Sequence, residues 1–150
     1  MDNVVVRNMT LADIDQVLEI EKECFSIPWS KESFITEVEK NILAEYIVVE
    51  IANKVVGYGG IWLIMDEGHI TNIGVSKSHR GYRVGSIILE KIIDICKEKG
   101  IPRITLEVRE HNYVAQGLYE KYDFKVFGIR PNYYSDNNEN ALIMWKNIEK

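Results

Sequence analysis

The sequence predicts a mixed α/β fold, a single sheet carrying helices, on two observations. Period-two runs rich in β-branched residues alternate with stretches whose apolar residues recur three and four apart, and the resulting order is β-α-α-β-β-β-α-β-α-β-β. Turn-forming residues fall between these runs: Pro28, Ala52-Asn53-Lys54, Asp66-Glu67-Gly68, and Gly100 followed by Pro102.

Val4 to Arg7 reads as a short strand. Thr10-Leu11-Ala12-Asp13 resembles a capping box with Asp in place of Glu, so a helix is expected to start there. Its inner face carries Leu11, Ile14, Val17, Leu18, Glu21 and Phe25, and it ends before Pro28. Ser30 caps a second short helix with Phe34, Ile35 and Val38, which leaves Cys24 to Trp29 as an exposed apolar loop. Tyr46 to Ile51 and Val55 to Ile64 form a hairpin, and His69 to Val75 adds a third strand. From Val84 a half-buried helix carries Ile87, Ile88, Ile92, Ile95 and Cys96, until Gly100 and Pro102 end it. Ile104 to Val108 is a strand, Asn112 caps a helix bearing Ala115, Leu118, Tyr119 and Tyr122, and Val126 to Ile129 and Ala141 to Trp145 are the closing strands.

With 150 residues, 46% apolar and 27% charged, the chain is expected to fold as one soluble domain over residues 1–150. That length buries roughly 68–70% of the unfolded surface, so neither a disulfide nor a structural metal is needed. The longest apolar stretch, Val55 to Met65, holds three glycines and falls short of the roughly 20 residues that span a bilayer, so no membrane partner is expected. Met1-Asp2-Asn3 leads directly into Val4-Val5-Val6 without a basic n-region or apolar h-region, and the sequence predicts no secretion. Cys24 and Cys96 read as two reduced core thiols, which fits the cytoplasm. A net charge of −5 argues against broad binding to nucleic acid. His69, His79 and His111 have no metal-ligand spacing with the cysteines, and no metal is expected.

The charge is uneven. Lys77, His79, Arg80 and Arg83 form a basic island without an acidic residue, and it overlaps His79-Arg80-Gly81-Tyr82-Arg83-Val84-Gly85-Ser86, a loop that follows a strand and opens onto a helix. Backbone N–H groups at a helix N-terminus suit a pyrophosphate, although a glycine-bearing turn with a solvated basic face is the plainer alternative. The loop lacks the ending of a P-loop and contains no Gly-x-Gly-x-x-Gly, which disfavours ATP and NAD.

These residues resemble the GNAT superfamily of acetyl-CoA-dependent N-acetyltransferases, whose acyl-carrier loop reads Arg/Gln-x-x-Gly-x-Gly/Ala. Arg80, Gly81, Tyr82, Val84 and Gly85 fit that frame, and Arg83 stands where the family usually has Gly. Asn112, Ala115, Leu118-Tyr119 and Phe124 are similar to the family's Asn-x-x-Ala-x-x-Leu-Tyr-x-x-x-Gly-Phe, with Asp123 replacing the Gly. Asp tolerates a left-handed backbone better than most residues, so that turn is expected to survive. Four segments resemble the ribosomal-protein alanine N-acetyltransferases: Cys24 to Ser30, His69 to Val75, Leu106 to Arg109, and Arg130 through Tyr133-Tyr134 to Met144. Asn140 stands where that group has Asp. The resemblance implies a mostly antiparallel seven-stranded sheet with about four helices, acetyl-CoA as co-substrate, and the N-terminal alanine of a small-subunit ribosomal protein as acceptor.

The chemistry suits such an acceptor. An α-amino group with a pKa near 7.8 costs about 1 kcal/mol to deprotonate at pH 7, whereas a lysine costs about 4.6 kcal/mol. A Glu at a strand end, acting directly or through one water, can supply the base if partial burial raises its pKa, and the resemblance assigns that role to Glu107. CoA thiolate has a pKa near 8.5 by analogy with cysteine, and a phenol near 10 can protonate it; Tyr119 is the candidate. Taken singly, Glu107 also reads as an edge carboxylate and Tyr119 as a core tyrosine.

The resemblance further places the thioester and the pantetheine arm along Ile73-Gly74-Val75, where a local splay frees backbone groups, and the diphosphate against residues 80 to 86 including Ser86. It assigns Asn112 to the cofactor arm, though an ordinary helix cap fits that position equally. Substrate recognition falls on Pro28, Trp29, Arg130, Tyr133, Tyr134 and Asp136. The aromatic members read equally as core packing, and Asp136 either meets an α-ammonium or is a solvated turn residue. Two other readings stand beside this one: a GNAT enzyme acting on a small-molecule amine or a lysine, and a non-catalytic acyl-CoA-binding module.

Overall fold

A computed structural model describes residues 3–80 and 83–148 of the chain. Its elements are β1 (Val4–Asn8), α1 (Ile14–Cys24), α2 (Lys31–Glu39), β2 (Ala44–Ile51), β3 (Lys54–Ile64), β4 (Glu67–Val75), α3 (Val84–Glu98), β5 (Arg103–Arg109), α4 (Tyr113–Lys121), β6 (Lys125–Arg130) and β7 (Ala141–Asn147). Single turns of 3-10 helix at Leu11–Asp13 and Lys77–His79 precede α1 and α3. The seven strands form one sheet in the order β1-β2-β3-β4-β5-β7-β6. Every neighbouring pair is antiparallel except β4 and β5.

Local chemistry explains most boundaries. The Asp13 carboxylate accepts from the Thr10 N–H at 2.8 Å and from its hydroxyl at 3.1 Å, so the first helix opens where expected, through a 3-10 turn. Arg7 on β1 donates to the same carboxylate, tying the helix start to the sheet and holding Asp13 below the usual carboxylate range. The Ser30 hydroxyl accepts from Ser33 N–H at the start of α2. Ile51 pairs with Lys54, so β2 and β3 join through Ala52 and Asn53 alone, both at positive φ as a tight hairpin turn of this hand requires.

Apolar side chains on the two sheet faces build two cores. Ile88, Leu89, Ile92 and Cys96 of α3 pack with Ile47, Val49, Ile104 and Leu106 on one face, joined by Tyr119 and Phe124. On the other, Ile14, Val17 and Ile20 of α1 and Phe34 of α2 pack against Tyr46, Val48 and Tyr58. Each such side chain contributes about 1.5–3 kcal/mol on burial. Both cysteines are free thiols: Cys96 lies in the first core, where burial pushes its thiol up to about 12, and Cys24 ends α1. Among the described residues no helix is long and apolar enough to cross a membrane.

Candidate active site in the cleft between β4 and β5

β4 and β5 pair only at Glu67–Arg103, Gly68–Ile104 and His69–Thr105. Beyond His69, β4 continues along β3 to Val75 while β5 continues along β7 to Arg109, so the two parallel strands part. A bulge marks the same place: Ile61 faces Ile70 and Gly60 faces Asn72, which leaves Thr71 as the extra residue that bends β4 away. The opening is a cleft of about 830 Å³, walled by residues 70 to 73 of β4, residues 106 to 109 of β5, α4, the α1–α2 loop and the β6–β7 connection. That size suits a small-molecule or cofactor arm. Among the described residues, no group of three His, Cys, Asp or Glu is placed to hold a metal.

The residues expected along the carrier arm are distributed as follows. Ile73 lines the cleft. Gly74 turns its α-carbon toward the other core, where a Cβ would come within 2.5 Å of the Tyr58 ring; the glycine is needed for Tyr58. The Val75 carbonyl accepts from the Cys24 thiol at 3.4 Å. Asn112 lines the cleft and also caps α4, its side chain accepting from Ala115 N–H at 3.2 Å.

At the expected anion site, α3 begins at Val84 after Arg83, whose φ of +62° is the left-handed backbone that the family's glycine would adopt freely. The Arg83 side chain points outward and meets Glu90 at 3.6 Å. Ile87 N–H is the first to bond back into the helix, to Arg83 O, so the N–H groups of Val84, Gly85 and Ser86 have no partner inside α3. Val84 and Ser86 are buried, and a Cβ on Gly85 would stand 3.3 Å from Leu118 of α4, so this glycine also permits close helix packing. Arg80 donates to Cys24 Sγ at 3.4 Å. Gly81 and Tyr82 lie outside the described residues.

Glu107 and Tyr119 both line the cleft, Glu107 from β5 and Tyr119 from α4. The Glu107 side chain is 16% exposed and both its oxygens are engaged: Oε1 with His69 Nε2 at 3.0 Å, Oε2 with Arg130 Nε at 2.9 Å. Arg130, expected at the acceptor, is thus a partner of the candidate base. Burial, with a smaller contribution from Tyr134, pushes the Tyr119 phenol up to about 12, which keeps it a proton donor at neutral pH.

Of the residues expected at the acceptor, Trp29, Tyr133 and Tyr134 line the cleft, whereas Pro28, Arg130 and Asp136 are not among its lining residues. The α1–α2 loop is exposed at Ile27 and Pro28, but Trp29 folds inward, contrary to a wholly exposed loop, because its ring packs in a tilted pair 5.2 Å from Phe34 and its amide donates to Glu21. Tyr133 and Tyr134 meet edge to face at 5.1 Å. Burial, then the Glu107 charge, pushes Tyr133 above the usual tyrosine value. Asp136 accepts from Ser26 and pairs with Arg109 at 2.9 Å, which together hold it below the usual carboxylate range; it links the two loops and is neither unpaired nor simply a solvated turn residue.

Two residues of this cleft had no role in the sequence reading. Arg109 lies 4.0 Å over the Tyr134 ring and donates to Asp136, Asn137 and Glu139, so it fastens the whole β6–β7 connection. Glu21 is 2% exposed on α1, and its carboxylate accepts from the Tyr58 hydroxyl, Trp29 N–H at 2.8 Å and Asn72 Nδ2 at 3.4 Å. Its signal in the sequence was a carboxylate on the apolar face of a helix, a position that burial makes costly unless donors converge there.

The splayed strands β4 and β5 and most of the cleft wall between them fall within residues 14–124, which match the Acetyltransferase (GNAT) family profile. The chain belongs to that family and is an acetyltransferase. It is 48% identical over 145 residues, 97% of this chain and 96% of the other, to a Bacillus subtilis (strain 168) protein provisionally named a ribosomal protein bS18-alanine N-acetyltransferase. The crystal structure of the ribosomal-protein-S18-alanine N-acetyltransferase from Escherichia coli superposes with a TM-score of 0.90 at 27% identity, covering 99% of this chain and 96% of that one. The PaiA N-acetyltransferase from Thermoplasma acidophilum, solved in complex with coenzyme A, shares the fold at a TM-score of 0.82 and 19% identity, covering 97% and 99% of the two chains.

Proposed function

We propose that this acetyltransferase moves the acetyl group of acetyl-CoA onto the α-amino group of a ribosomal protein that begins with alanine, in the cytoplasm, with Glu107 as general base and Tyr119 as general acid. The observation that carries the reading is one cleft, opened by the parting of β4 and β5, that holds a carboxylate and a buried, protonated phenol together. The names of the relatives supply the acceptor class.

Each step has a residue. Glu107 takes a proton from the acceptor ammonium, directly or through a water, so that the nitrogen can bond to the thioester carbon. Backbone N–H groups freed on β4 by the splay steady the negative oxygen that develops, an effect worth about 3–4 kcal/mol where one such donor has been removed elsewhere. As the carbon–sulfur bond breaks, Tyr119 gives its proton to the sulfur. Of the two protons the ammonium loses, one leaves through Glu107 and the other replaces the one Tyr119 has given. Residues 80 to 86, with the N–H groups of Val84, Gly85 and Ser86 left without a partner inside α3 and basic side chains around them, hold the diphosphate.

Steady-state kinetics on a peptide with a free N-terminal alanine tests the roles. Glu107→Gln and Tyr119→Phe each lower kcat by about 10²–10⁴ while CoA affinity stays near that of the unsubstituted enzyme. Normal turnover in both variants contradicts the assignment.

A further inference from the structure

We propose that His69 is a positioning residue for Glu107, one half of a two-donor clamp that fixes the plane of the carboxylate at the mouth of the cleft; this rests on Glu107 acting as the base. His69 is the last residue of β4 to pair with β5, opposite Thr105, and Glu107 is two residues further along β5, on the same face, where the strands have parted. A side chain at position 69 therefore reaches diagonally across the start of the gap, and its Nε2 stands 3.0 Å from Oε1. The carboxylate is ion-paired with Arg130 and so acts as acceptor, which makes Nε2–H the donor.

The geometry explains why one donor is not enough. Arg130 holds Oε2 alone, from a side chain that is 55% exposed on the edge strand β6. A carboxylate held at one oxygen still swings about that contact. With His69 on Oε1 and Arg130 on Oε2, the group is gripped from opposite sides by two different strands, with the Tyr133 hydroxyl beside it. His69 itself is 39% exposed, so its hydrogen bond forms at a partly solvated position and is not imposed by burial.

The test is a double-mutant cycle on kcat with the alanine peptide, with CoA affinity and thermal unfolding measured on every variant. His69→Leu removes the donor and His69→Gln returns an amide N–H near the place of Nε2. Expected are a kcat loss of about tenfold or more in His69→Leu, the scale of a lost hydrogen bond to a charged group, recovery of most of it in His69→Gln, and CoA affinity within about twofold throughout. In the Glu107→Gln background, His69→Leu adds no further loss, since there is no base left to aim. A slow Glu107→Gln enzyme combined with full turnover in His69→Leu overturns the positioning role and leaves the base assignment standing. The same loss from His69→Leu in both backgrounds also overturns it, because the effect then bypasses Glu107. Full turnover in Glu107→Gln overturns the base assignment and this proposal together.

Discussion

The Tyr58 ring lies so close beneath Gly74 that a Cβ at position 74 would stand 2.5 Å from Cε1 and 2.9 Å from the hydroxyl. Tyr58 is fully buried and its hydroxyl donates to the Glu21 carboxylate, so the ring cannot step aside without leaving a buried carboxylate short of a donor.

Gly74→Ala is therefore expected to destabilise the fold by about 1–3 kcal/mol, the usual cost of overpacking, seen as a lower urea midpoint at unchanged slope. A variant as stable as the parent would contradict this account of why position 74 is glycine.

Asp123 closes α4 with φ +70°, its N–H donating to Glu120 O while Phe124 N–H donates to Tyr119 O. Through this turn Phe124 returns to the core, its ring 5.8 Å from Tyr119. Asp123→Val is expected to cost about 1–2 kcal/mol, because a β-branched residue resists the left-handed region, whereas Asp123→Gly is at least as stable as the parent. Thermal unfolding of the pair distinguishes them, and equal stabilities would show that the backbone there is not constrained.

The raised pKa of Tyr119 makes an alkaline prediction. An unfolded tyrosine ionises near 10 and the folded one at about 12, so its contribution to stability is complete below about pH 10 and is lost as the pH climbs from 10 through 12. Tyr119→Phe has no such group. Urea unfolding at about pH 8 and about pH 11 should show the parent losing more stability between the two than Tyr119→Phe does; equal losses would mean that the phenol is not buried as described.

Local signals were strong in this sequence. Ser30 and Asn112 cap the helices they were expected to cap, and the left-handed positions at Arg83 and Asp123 fall where the resembling family carries glycine. Glu107 and Tyr119 share a cleft because a strand, a short loop and a helix cap fix their separation along the chain. Contacts between distant elements were not legible. Glu21 meets Tyr58 and Asn72, 37 and 51 residues away, and only the packing of α1 on the sheet brings them together. Arg130 reaches Glu107 from two strands away across β7, and His69 does so from across the splay, so neither pairing is visible in residue spacing. Trp29 looked exposed because nothing near it in sequence announces that Glu21 receives its amide.

The most direct measurement weighs the products formed from acetyl-CoA and two peptides offered together, one with a free N-terminal alanine and no lysine, the other blocked at its N-terminus and carrying lysine. The account predicts a gain of one acetyl mass on the alanine peptide, with the blocked peptide unchanged over the same interval. A mass gain confined to the blocked peptide, or none on either while CoA still binds, would contradict it.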